Sequence, residues 1–129
     1  MRIRLTVLLF FAAITWACHP GDRRGDADYF ILSGQFDNAD AQNIYLQELT
    51  TTDLLPLDSI PLDSMGAFSY RGGIQEAGFY ILRSDQDNYI TLVIEPGEQI
   101  SISGDADDLA MSVQIEGSPG SCLLAELNR

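Results

Sequence analysis

From Tyr29 to Ile115 the chain is cut into short runs of strand length, each closed by turn chemistry, and that recurrence leaves few folds open. About eight such runs follow at roughly ten-residue spacing, the pattern of an antiparallel β-sandwich or a partly open barrel. Folds that alternate strands with helices need a helical period between the strands, and this stretch has none. The expected class is all-β, with an N-terminal signal peptide and a short C-terminal helix start outside the sheets.

The runs can be read one by one. Tyr29 to Phe36 alternates, with Phe30, Leu32 and Phe36 on one face, and Asn38-Ala39-Asp40 breaks it. Asn43 to Leu49 is a second strand with Ile44 and Leu46 on one side, and the two strands read as a meander. Leu54 to Leu62 carries Pro56 and Pro61, which cannot donate to a ladder, so it is expected at a sheet edge or to be irregular. Its repeated Pro-Leu-Asp-Ser has an odd spacing, a coincidence or a bulge. Asp63-Ser64-Met65-Gly66 is a type I turn with the marks of a hairpin, Gly66 taking the positive φ before Phe68 and Tyr70. Gly78 to Ser84 and Tyr89 to Ile94 are almost continuously apolar, which predicts central strands covered on both faces. Glu95-Pro96-Gly97-Glu98 fits a type II turn, Ile100 and Ile102 alternate after it, and Met111, Val113 and Ile115 recur at period two as a last strand. Ser118-Pro119 is an N-cap with Pro at the first helical position, and Leu123, Leu124 and Leu127 share a helical face.

The other end carries an address. Arg2 and Arg4 precede an apolar run from Leu5 to Ile14, too short to cross a bilayer and of the length of a signal-peptide core. Ala17 before Cys18 resembles the lipobox of bacterial lipoproteins, although Thr15 and Trp16 depart from its usual residues. The alternative is ordinary cleavage after Ala17, leaving Cys18 as a free thiol. The expected layout is a lipoprotein-type signal peptide at 1–17, a lipid-anchor Cys18 with a polar stalk over 18–28, the β-domain over 29–117, and from 118 to 129 the start of a linker helix expected to run on past Arg129. The expected location is the cell envelope, with the membrane as a partner through Cys18.

Charge and composition exclude whole classes of function. Formal net charge is -12, with seven basic residues against 19 acidic ones, and every basic residue is Arg. Phosphate-backbone binding needs clustered cations, so nucleic acid is excluded as a partner. His19, the only histidine, falls in the polar stalk, so the β-domain has no Ser-His-Asp or Cys-His site and no catalytic lysine. The two cysteines, Cys18 and Cys122, form no CxxC. Asp85, Asp87 and Asn88, and likewise Asp105, Asp107 and Asp108, resemble calcium carboxylates, but Tyr89 and Leu109 occupy the position where an EF-hand needs a ligand. Their expected role is to close strands by bonding turn backbone. Glu95 and Glu98 flank a turn and are expected to be solvated rather than an acid/base pair. Cys122 beside Leu123 and Leu124 is expected to be a small buried hydrophobe. No catalytic, metal or cofactor residue is assigned, and the chain is expected not to be an enzyme.

The order Ile31-Leu32-Ser33-Gly34-Gln35-Phe36, Ile44-Tyr45-Leu46, Leu62-Asp63-Ser64-Met65-Gly66-Ala67-Phe68, Gly78-Phe79-Tyr80 and Ile94-Glu95-Pro96-Gly97-Glu98, continuing from Ile100 to Asp107, is similar to a known family. It resembles the all-β domain of unknown function that precedes the thioredoxin-like domain in envelope lipoprotein thiol-disulfide oxidoreductases. The resemblance implies a non-catalytic accessory module that positions or docks a thioredoxin-like domain or partner protein. The WCxxC of that following domain has no counterpart in these 129 residues, so oxidoreductase activity is not carried over. The alternative is a standalone envelope lipoprotein that binds a glycan or peptide on a sandwich face through Tyr45, Tyr70, Tyr80 and Tyr89. Core packing is the competing use of those rings.

Overall fold

The structure, a computed structural model, describes residues 27–39 and 42–128. The leader, Cys18 and His19 lie outside the described residues. Among the described residues the elements run β1 (Tyr29–Asp37), β2 (Asn43–Leu49), β3 (Leu54–Pro61), β4 (Ala67–Gly73), β5 (Gly78–Arg83), β6 (Tyr89–Ile94), β7 (Gln99–Asp105), α1 (Leu109–Ser112), β8 (Gln114–Glu116) and α2 (Pro119–Leu127). They form two four-stranded sheets, ordered β4-β1-β7-β8 and β3-β2-β5-β6, an all-β sandwich with no closed barrel.

Alternation puts the core between the sheets. Phe30, Leu32 and Phe36 of β1 and Ile100 and Ile102 of β7 meet Ile44 and Leu46 of β2, Leu82 of β5 and Leu92 and Ile94 of β6, none more than 1 % exposed. Each such side chain contributes roughly 1.5–3 kcal/mol by leaving water. Phe36 stacks on Phe68 at 5.4 Å between centroids, and Phe30 packs against Tyr70 and Tyr80 at 6.1 and 5.6 Å.

Three expectations are corrected by pairings that no local pattern encodes, and a fourth by a local helix cap. The β1 and β2 strands do not form a meander, because they lie in different sheets. The β1 strand pairs in parallel with β7, Leu32 opposite Ile100, so the first sheet is mixed rather than purely antiparallel. At Asp63–Gly66 the turn chemistry is as expected, with Asp63 Oδ1 accepting from the Met65 and Ala67 amides at 2.8 and 2.9 Å and Gly66 at φ +76°. It does not close a hairpin: it carries the chain across the sandwich from β3 to β4, held to the first sheet by the Phe36 amide donating to the Gly66 carbonyl at 2.9 Å. The Met111–Ile115 segment is not one strand. Asp108 caps the short α1 by accepting from the Met111 amide, Leu109 is buried, Met111 is exposed, and only β8 continues the sheet. Over five residues a period of two and a period of 3.6 select overlapping positions, and the Asp cap decides between them.

The proline-bearing β3 is an edge strand, as expected, and its register slips opposite Leu46 and Gln47 so that Leu57 is bulged out. The β5 strand is central and buries Tyr80, Ile81 and Leu82 in succession. The β6 strand is instead at an edge, alternates in burial, and is shielded along that edge by α2. Ser118 and Ser121 face it: both hydroxyls donate to the Val93 carbonyl, at 2.8 and 2.9 Å, and the Val93 amide donates to Ser121 Oγ at 2.9 Å. The helix therefore buries its serines and leaves Leu123 and Leu127 exposed, the reverse of what its leucine spacing suggests.

Candidate functional site

The residues that alternate away from the core make two very different surfaces. On the outside of the first sheet, Ser33 stands between Ser69 and Ser101, Gln35 beside Ser103, and Ser103 beside Gln114. This face is polar. On the outside of the second sheet, Tyr45 stands between Ser59 and Arg83 with Tyr89 beyond, Gln47 beside Ile81 and Thr91, and Leu49 beside Leu54, Phe79 and Val93. Tyr45, Leu49, Leu54, Leu57, Phe79 and Tyr89 are each between 41 and 50 % exposed. Ile81, buried at 8 %, lies at the centre of this outer face and is not part of the core.

The four tyrosines considered for ligand contact divide between the faces. Tyr45 and Tyr89 point outward on this surface, whereas Tyr80 is buried and Tyr70 is half-buried against the core. Burial raises the hydroxyl pKa of both inner rings above the ordinary 10.0, with Asp58 adding to the effect at Tyr70 and Glu48 and Tyr70 adding to it at Tyr80. They serve the fold.

At the Tyr45 end of the outer face lies a groove of about 480 Å³, walled by Tyr45, Pro56 and the bulged Leu57, with Gln47, Asp58 and Arg83 around it. Two of its polar atoms, Gln47 Oε1 and Arg83 Nε, are buried and have no hydrogen-bond partner among the described residues. Arg83 also lacks an ion pair among those residues, and its guanidinium carbon sits 6.0 Å from the centroid of the Tyr89 ring. The other described arginine, Arg71, is stacked over Tyr29 at 3.9 Å on the opposite face of the molecule. Both atoms are closed off from solvent, so it is the apolar wall of Tyr45, Pro56 and Leu57 that the groove presents. Sequence reasoning missed Arg83, Gln47, Leu57 and Phe79. The run from Gly78 to Ser84 has no alternation from which to assign faces, and only the register with β2 reveals them.

The carboxylate clusters are turn and cap ligands. Asp105 accepts from the Asp107 amide at 2.9 Å and from Asn38 Nδ2 at 3.0 Å, and Asp108 caps α1. Asn88 clasps two loops, donating to Ser84 Oγ and the Ala106 carbonyl at 2.8 and 2.7 Å and accepting from the Leu109 amide at 2.8 Å. Among the described residues no group of three or more His, Cys, Asp or Glu is placed to hold a metal ion. Glu95 is exposed, but Glu98 is only 2 % exposed, contrary to the expected solvated pair. Its turn is drawn in by the Gly97 amide donating to the Tyr29 carbonyl at 2.8 Å and the Ile31 amide to the Glu98 carbonyl at 3.0 Å. The Glu98 carboxylate itself accepts from the Glu95 amide at 3.0 Å. Cys122 is half-buried, its thiol donating to the Ile115 carbonyl at 3.0 Å.

Residues 30–123 match the family described as a domain of unknown function (DUF4369). A comparison with curated proteins finds no match.

Proposed function

The chain belongs to the DUF4369 family of domains of unknown function, and from that premise we propose a non-catalytic accessory module whose working surface is the outer face of the β3-β2-β5-β6 sheet. One observation carries this reading: that face exposes six large apolar or aromatic side chains, whereas the face opposite is mostly serine and glutamine, with Tyr29 covered by Arg71 and Ile31 half-buried. Clustered exposed apolar residues on one side of a small domain mark an interaction surface. The β3 edge is poorly suited to pairing with another strand, since Pro56 and Pro61 lack donors and Leu57 is bulged, so a partner approaches the face rather than the edge.

The module is read as exported and tethered to an envelope membrane through Cys18, with a thioredoxin-like domain or separate protein as its partner. The apolar leader and the residue pair Ala17-Cys18 support that placement. The docking role is tested by placing a photo-crosslinking residue at Phe79 or at Ser101 in the exported protein. Adducts from position 79 and none from 101 are expected; equal yields, or adducts from 101 alone, contradict the reading. Acylation is tested separately by intact mass, with Cys18→Ser expected to remove the lipid and release the protein from the membrane fraction.

A further inference from the structure

The apolar outer face has the extent of half a protein interface. Tyr45, Leu49, Leu54, Leu57, Phe79 and Tyr89 are each between 41 and 50 % exposed. At about 200 Å² for a large side chain, they leave roughly 550 Å² of apolar surface in water. One side of a standard interface covers about 800 Å², and about 65 % of it is apolar where the two chains are identical. The two amounts agree. No carboxylate stands among the outward residues of the four strands, and Arg83 is their only charge. Aromatic rings and an arginine with no other charge is the composition of an interface core.

From this face we infer that the chain forms a two-fold symmetric dimer, the outer faces of two β3-β2-β5-β6 sheets packed against each other. The inference rests on reading this face as the working surface and names a second copy of the chain as what covers it. Two features favour a copy over another protein. An identical sheet has the identical twist, and twisted sheets pack face to face at about 30° with their side chains interdigitated. The groove beside Tyr45 also holds both halves of an ion pair: Arg83 has no ion pair among the described residues, and Asp58 and Asp85 border the same groove. A two-fold axis near the groove brings each copy's Arg83 to the other's carboxylates, so the pair forms twice. The contact also closes on itself, because the sheets left outward are the polar ones and add no third chain.

Sedimentation equilibrium of the exported protein under reducing conditions tests this, with Cys18→Ser so that neither a lipid nor that thiol joins two chains. Twice the chain mass is expected at about 100 µM. Tyr45→Thr/Phe79→Thr is expected to raise the dissociation constant about tenfold or more and Arg83→Met about threefold, with core amide NMR positions unchanged. Ser101→Lys on the polar face leaves the constant as it is. In the unaltered exported protein, a photo-crosslinking residue at Phe79 is expected to join two copies of the chain. A single-chain mass at about 100 µM, an unweakened dimer in the double variant, or a dimer broken by Ser101→Lys overturns the proposal. A monomer whose position-79 adducts join it to a different protein removes the dimer and leaves the docking face standing; a monomer with equal adducts from 79 and 101 removes both.

Discussion

Gly34 has no room for a side chain. A Cβ built there falls 1.7 Å from the Ile102 carbonyl oxygen on the parallel neighbour β7, a backbone atom that cannot step aside without breaking the ladder. Gly34→Ala is therefore expected to lower the unfolding free energy by about 3 kcal/mol or more, measured by urea denaturation. Tyr70 and Tyr80 give the chain an alkaline limit. Because burial holds their folded pKa values above 10.0, the unfolded chain releases these protons first as pH rises, and it binds fewer protons than the native state. Their contribution is thus intact below about pH 10 and is lost as pH climbs above it. The urea midpoint should fall between pH 9 and pH 11, and less steeply in Tyr80→Phe.

At the scale of elements, the α2 helix is attached by hydroxyls rather than by leucines. The doubly substituted Ser118→Ala/Ser121→Ala removes the N-cap and leaves the Val93 amide and carbonyl without their partners at the edge of β6. A loss of about 2–3 kcal/mol is expected, together with rapid hydrogen exchange at the Val93 amide. Normal protection of that amide would show that β6 holds without the clasp. Strand existence was legible from alternation and turn residues: β1, β2, β7 and the Asp63–Gly66 turn fall where the pattern puts them. Strand partners were not. The same turn residues serve a hairpin or a crossing between sheets, and the β1–β7 parallel pair joins residues far apart in sequence. The Asn88 clasp was hidden for the same reason, since Ala106 and Leu109 meet it only after the sheets assemble.

For the whole molecule, the division into a polar outer face and an apolar outer face decides how the domain is understood. The clean alternation of β7, with Ser101 and Ser103 outward, made the polar face legible, whereas the unbroken apolar run of β5 concealed that Phe79, Ile81 and Arg83 point away from the core. One strand from each sheet thus gave signals of opposite quality: the residues easiest to place belong to the polar face, and those hardest to place belong to the apolar one. If the apolar face is reserved for a partner, folding does not depend on it. Unfolding free energy by chemical denaturation tests that claim directly, comparing Tyr45→Thr/Phe79→Thr with Leu82→Ala, which empties a fully buried core position. The account predicts a loss of no more than about 1.5 kcal/mol for the double variant against about 3 kcal/mol for Leu82→Ala. A double variant as damaging as the core truncation would make the face a structural element and contradict its assignment as a docking surface.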